Sequence, residues 1–258
     1  ILGIQIFRYI FGKIAYNIKY KYNNYRNESL EKKGFIIIEN FLIDDEYKKV
    51  LADFEEAIKD KEFSLFYDKY GKGVDAHHVY IDEKIKKKYN NVFNFTKNKK
   101  KIDLFENNEV KSNVEIVVKA ERLKAKENPE EDLSKMLHYD TYYNTFKAWY
   151  YLSDVSLDDG PLNYVQGSHK FSIKRIFYEY FFSLKYTLYR ILKKQWPGYG
   201  VFSKSYSDYE KILKKFSVKK NTLIFANTHA LHRRGDSKMN TQRDTIHFYT
   251  RENPFHLF

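Results

Sequence analysis

Apolar positions change their period along the chain. Over D-D-E-Y-K-K-V-L-A-D-F-E-E-A-I (44–58), Val50, Leu51, Phe54, Ala57 and Ile58 recur at i, i+3 and i+4 behind acidic capping residues, which predicts a helix. Just before it, K-K-G-F-I-I-I-E-N-F (32–41) is a short apolar run after a glycine turn and predicts a strand. From residue 114 onward short runs dominate. V-E-I-V-V-K-A-E-R-L (114–123), M-L-H-Y-D (136–140), F-K-A-W-Y-Y-L-S-D-V (146–155), L-N-Y-V (162–165), N-T-L-I-F-A (221–226) and D-T-I-H-F-Y-T (244–250) are candidate strands. With D-D-G-P (158–161) as a turn, the series predicts a mainly β architecture, a sandwich or jelly roll with flanking helices.

Two stretches depart from this pattern. Residues 1–16, I-L-G-I-Q-I-F-R-Y-I-F-G-K-I-A-Y, are apolar but interrupted by Arg8 and Lys13. No uninterrupted run approaches the roughly 18 to 20 apolar residues of a spanning helix. Residues 1–30 therefore read as an amphipathic helical region, docked on the body or lying on a membrane surface. Residues 171–194, followed by Trp196, Pro197 and Gly198, form a long helical pattern between strands, more basic than a core helix should be. The segment 171–216 reads as a helical insertion, a lid or side-packing element.

Composition narrows the class. With 258 residues, 43% hydrophobic and 18% aromatic, a sizeable core is available, and 4 Pro and 10 Gly leave no linker-like tract, so one domain over 1–258 is expected. The absence of cysteine excludes disulfide scaffolds, thiolate zinc sites and thiol nucleophiles, and suits a reducing cytoplasm. The sequence opens on Ile1 rather than methionine, as a trimmed chain would. A formal charge of +12 invites nucleic acid or an anionic membrane as partner. The joint abundance of Lys, Asn, Ile, Tyr and Phe is also what AT-biased coding produces without any partner. No specific nucleic acid is expected; peripheral membrane contact through the basic aromatic helices is.

The candidate chemistry starts at H-Y-D. In a strand, residues i and i+2 share a face, so His138 and Asp140 would project together. A second histidine would complete a two-His-one-carboxylate triad, which holds Fe(II) on one side and leaves the other open. N-T-H-A-L-H-R-R-G-D-S (227–237) offers His229 and His232. Eleven residues beyond His232, Arg243 could pair with a distal carboxylate. Iron beside such a clamp is what 2-oxoglutarate needs: its 2-oxo acid end chelates the metal and its far end requires a cation.

H-Y-D-T-Y, K-A-W-Y-Y-L-S-D-V, D-D-G-P-L-N-Y-V-Q-G-S-H-K and L-H-R-R-G-D-S with T-Q-R together resemble the phytanoyl-CoA dioxygenase family of Fe(II)/2-oxoglutarate oxygenases. The G-F-I-I-I-E-N-F-L segment resembles the family's N-terminal opening, whereas 171–216 carries no matching motif. The resemblance implies a double-stranded β-helix, a jelly-roll or cupin-like barrel, with Fe(II), 2-oxoglutarate and O2 as cofactors. It assigns His138, Asp140 and His232 as catalytic metal ligands, Arg243 as the partner of the 2-oxoglutarate C5 carboxylate, Trp149 as a wall of that pocket, and Thr245 as a second hydroxyl contact. Gln166 stands where the family usually has proline.

Other candidates receive blander readings. His229 reads as structural, His169 as a turn histidine, His77 and His78 as loop residues, and Lys119 and Lys124 as a charged strand face. The implied reaction is hydroxylation of an unactivated C–H, with release of succinate and CO2. The substrate expected is a small molecule, or a lipid- or glycan-linked one, anionic in character. The competing readings are a catalytically silent jelly-roll binding module and a basic membrane-surface or nucleic-acid binding protein.

Overall fold

The protein is described by a computed structural model over residues 4–22, 27–67, 74–108, 115–126, 133–141, 144–170, 172–193, 209 and 211–250. Ten strands are described: β1 (Phe35–Ile38), β2 (Leu65–Tyr67), β3 (Val74–Tyr80), β4 (Val117–Ala125), β5 (Phe146–Tyr151), β6 (Leu162–Val165), β7 (Leu213–Lys215), β8 (Thr222–Asn227), β9 (His232–Arg234) and β10 (Gln242–Tyr249). They form a seven-stranded sheet in the order β1-β8-β5-β10-β4-β3-β2 and a three-stranded sheet in the order β7-β6-β9. Every pairing is antiparallel, as in a double-stranded β-helix.

The two-residue period of the strands gives the larger sheet two different faces. On β5, Phe146, Ala148 and Tyr150 enter the main hydrophobic core, as do Ile246 and Phe248 on β10. Helices α3 (Asp44–Ala57), α4 (Asn90–Phe95) and α5 (Lys99–Asn108) cover that face with Val50, Phe54, Val92, Phe95, Leu104 and Phe105. Phe146 and Phe225 stack with centroids 5.1 Å apart, and Phe105 meets Phe225 edge-on at 5.0 Å. The alternate residues, Lys147, Trp149 and Tyr151 on β5 and Arg243 and His247 on β10, line a cavity on the other side. At the margin, Arg122 makes two 2.8 Å bonds to Asp244 and one of 2.5 Å to Glu55, pinning α3 to β4 and β10.

Residues 136–140 do not form a regular strand. His138 makes a single antiparallel bridge to His232, and Asp140 lies in a bend. The chain there is held by reciprocal His138–His232 main-chain bonds of 3.0 and 2.8 Å and by the Asp140 amide donating to Thr228 O at 2.9 Å. The expected loop around His77 and His78 is instead β3, paired with β4. Helices α1 (Ile4–Tyr22), α2 (Glu28–Lys32) and α6 (Ile173–Lys193) complete the described helices, and α1 packs on α6. Of the expected insertion, residues 194–208 and 210, with Trp196, Pro197 and Gly198, lie outside the described residues, as do 23–26 of the N-terminal region. Among the described residues no helix is long and apolar enough to cross a membrane.

Candidate metal centre and co-substrate pocket

Three side chains converge between the sheets. His138 Nε2 lies 3.9 Å from Asp140 Oδ1, and His232 Nε2 lies 3.8 Å from the same oxygen. One ligand atom from each residue falls within 4.8 Å of the others. Both imidazoles are turned by the main chain. His138 Nδ1–H donates to Met136 O at 2.6 Å, and His232 Nδ1–H donates to Ala230 O at 2.9 Å. Carbonyls only accept, so each ring carries its proton on Nδ1 and presents a bare Nε2 to the common point. Burial pushes both imidazoles below their ordinary pKa, His232 to about 4, which keeps them neutral and able to ligate.

Asp140 behaves oppositely. Burial alone would raise its carboxyl, but Lys147 and the two histidines outweigh that and hold it well below the usual range. Lys147 Nζ lies 2.6 Å from Oδ2, the oxygen not shared with the imidazoles. Two neutral nitrogens and one carboxylate oxygen on one side of a cavity suit a divalent first-row metal such as Fe(II), and the donor set fits that ion.

The cavity beyond the triad measures about 270 Å3. Trp149 forms one wall, its ring 6.3 Å from that of His232 and 6.4 Å from that of His247. Arg243 lines the cavity and donates to Gly160 O, with its other terminal nitrogen 3.9 Å from Glu121 Oε1. Its Nε is buried without a hydrogen-bond partner, a donor available to an incoming carboxylate. Thr245 is fully buried, and its hydroxyl meets His247 Nε2 at 2.7 Å, so it touches the pocket through that imidazole.

Several pocket residues escaped sequence reasoning. Glu121 is buried, accepts from Lys119 Nζ at 2.8 Å, and lies 2.7 Å from His78 Nε2 and 3.3 Å from His247 Nε2. Burial would raise this carboxyl; His247 and Lys119 lead the interactions that instead hold it well below its ordinary value. Burial drives His247 down to about 4 against the pull of Glu121. His78 and Lys119 thus face the cavity rather than a solvated loop or an outer strand face, while His77 contacts Ser64 and Phe66 and Lys124 is exposed. The signal was the strand alternation: Arg243, Thr245 and His247 share one parity, as do Lys147 and Trp149. Arg233 and Arg234 add two more cations to the lining.

Two further histidines, His229 and His169, make structural contacts. His229 is buried with Nδ1–H donating to Thr141 O at 2.8 Å, and burial beside Arg175 pushes it well below its usual pKa. His169 packs under Gly34 and donates through Nε2 to Glu31 O at 3.2 Å; burial lowers it to about 4.

Solved structures share the fold at low identity. The epimerase SnoN in complex with Fe3+, alpha ketoglutarate and nogalamycin RO aligns over 85% of this chain and 79% of its own length, at 15% identity and a TM-score of 0.54. The carbocyclase SnoK from nogalamycin biosynthesis aligns over 88% of this chain and 83% of its own, at 16% identity and TM-score 0.52. AviO1 from Streptomyces viridochromogenes Tue57 aligns over 87% and 92%, at 13% identity and TM-score 0.50. No curated protein matches the chain. The profile of the phytanoyl-CoA dioxygenase (PhyH) family matches residues 30–181, which include His138 and Asp140, and the geometry supplies His232 and Arg243 from beyond that span. The chain belongs to the phytanoyl-CoA dioxygenase family of non-haem iron, 2-oxoglutarate-dependent oxygenases.

Proposed function

We propose that this protein is an Fe(II)/2-oxoglutarate-dependent hydroxylase of an anionic small molecule, working as one catalytic domain over 1–258 in the cytoplasm. The observation that carries the reading is the convergence of His138, Asp140 and His232 at the mouth of a cavity that also contains Arg243. When bound, iron and 2-oxoglutarate would supply the oxidising power that places one atom of O2 on a C–H carbon and releases succinate and CO2.

The chain's own residues set the conditions. His138, Asp140 and His232 would hold the metal. Arg243 pairs with the distal carboxylate of 2-oxoglutarate, and Trp149 closes the pocket against water. Lys147 pairs with the second oxygen of Asp140 and leaves Oδ1, the oxygen nearest both imidazoles, to serve as the ligand atom. The retained carboxylate supports hydroxylation over halogenation, which needs that ligand position vacant for a halide. Among the described residues, Lys119, Lys147, Arg233, Arg234 and Arg243 line the cavity against two carboxylates, Glu121 within it and Asp140 at its mouth. 2-Oxoglutarate offsets only part of that excess, so a substrate with a phosphate or carboxylate is the best electrostatic match.

Anaerobic titration with Fe(II) and 2-oxoglutarate should produce a weak visible charge-transfer band that His232→Ala abolishes. A wild-type protein with no band, or a variant with an undiminished one, would remove the basis of the assignment. Succinate release stimulated by anionic rather than neutral small molecules would then support the substrate class.

A further inference from the structure

Helices of a globular protein turn their apolar stripe inward. Helices α1 and α6 turn one outward. On α1, Phe7 (62% exposed), Phe11, Ile14 and Ile18 fall at i, i+4, i+7 and i+11, a single narrow stripe, and all four are exposed. The opposite side of α1 does the docking: Gly12 is buried, and Tyr16 packs on the main core and stacks on Phe146 at 6.4 Å. On α6, Phe177, Phe181, Leu188 and Leu192 (77% exposed) fall at i, i+4, i+11 and i+15, again on one face, flanked by exposed Ile173 and Ile191. Together these side chains present on the order of 1,000 Å2 of apolar surface, against the few hundred usual for a monomer. Among the described residues nothing covers it.

The charge on the same two helices says what does. Their 40 residues contain nine basic residues and one acidic, Glu179, a net of +8 out of the chain's +12. Two identical surfaces of that charge repel each other, whereas long apolar stripes on helices this basic are the pattern of helices that lie in a membrane interface. A bilayer with anionic headgroups satisfies both features at once, taking the apolar stripe at the acyl boundary and attracting the net charge of the two helices, of whose cations Lys185 is exposed and Arg175 is turned into the body. Neither helix is suited to crossing it.

We propose that α1 and α6 form a peripheral docking surface for anionic membranes. The pair is joined to the body near the metal centre. Arg175, in the first turn of α6, donates to Ser168 O at 2.5 Å and His229 O at 3.0 Å and sits 4.8 Å over the Tyr139 ring, between the ligands His138 and Asp140.

The test is flotation of the full chain with phosphatidylcholine vesicles and with mixed phosphatidylcholine–phosphatidylserine vesicles. The expected result is binding to the mixed vesicles only, falling as salt is raised, and weakened roughly tenfold or more in Phe7→Ser/Phe11→Ser/Phe177→Ser/Phe181→Ser. Leu188→Ser/Leu192→Ser provides a second variant, and circular dichroism checks that each folds. Three results overturn the proposal: no flotation with either vesicle, flotation that folded variants retain in full, or a self-associated species in sedimentation that the variants dissociate while vesicles bind nothing. The Fe(II)–2-oxoglutarate band, read without vesicles, reports on the catalytic reading independently.

Discussion

At the scale of single residues, Lys147 combines two opposed effects. Its ammonium fixes the orientation of Asp140, and partners of metal ligands typically contribute a factor of 10 to 100 in affinity. It would also repel a divalent ion held by Asp140, which at an effective dielectric near 20 costs on the order of several kcal/mol before screening at this partly exposed site. Repulsion is the larger effect. Lys147→Met should therefore bind Fe(II) about tenfold more tightly, while Lys147→Arg stays near wild type; competition with a chromophoric chelator under nitrogen measures both, and a weaker Met variant would show that orientation dominates. A second lysine is unusual for a different reason. Lys101 is fully buried, its Nζ donating to Thr96 O and lying 4.2 Å from the centre of the Phe248 ring, and burial lowers it from 10.5 to about 7. Between about 7 and 10.5 the unfolded chain holds a proton that the folded chain has released, so stability rises with pH across that window and the penalty is complete below it. Lys101→Met is expected to raise stability at pH 7 by a few kcal/mol and to flatten the rise, as thermal melts at pH 7 and pH 9 will register.

At the scale of elements, one glycine connects the smaller sheet to the larger. Gly34, at φ +90° between α2 and β1, accepts from Tyr164 Oη at 2.9 Å and from the Asn227 amide at 2.8 Å. A Cβ there would lie 2.4 Å from Tyr164 Oη and 2.6 Å from His169 Nδ1. Tyr164 on β6 stacks beside His232 with centroids 6.5 Å apart, so the disturbance would reach the metal ligand. Gly34→Ala should cost about 2 kcal/mol or more and weaken metal binding; an unchanged denaturation midpoint would contradict this. The elements legible in the sequence were those with an undivided period: the helix at 44–58, realised as α3, and the runs realised as β1, β4, β5, β6, β8 and β10. Strand β3 was not, because His77 and His78 interrupt its apolar alternation and Glu121, which His78 meets, lies 43 residues on. H-Y-D was legible as chemistry but not as structure: its shared face arises from a bend and one bridge rather than from a strand.

At the scale of the whole molecule, the site spans the two sheets. His232 belongs to β9 of the smaller sheet, whereas Arg243 belongs to β10 of the larger. A metal held at one and a keto-acid reaching the other would cross-link them. Binding at one hundred times the dissociation constant adds about 2.7 kcal/mol, or a few degrees in Tm for a chain of this size. Mn(II) with 2-oxoglutarate should therefore raise Tm more than either alone, and a chelator should reverse the gain; equal shifts from each ligand separately would argue against a shared site. The pocket's charge was less legible than its ligands, since Lys119, Glu121, Lys147, Arg233 and Arg234 come from three strands whose neighbours only the topology reveals.

The imidazole tautomers at 138 and 232 are set by the carbonyls of Met136 and Ala230, groups every amino acid possesses. The identity of those two neighbours is therefore free to drift without disturbing the proton on either ring. A centre wired through peptide oxygens keeps its ligands aimed while the side chains around it are exchanged for new substrates.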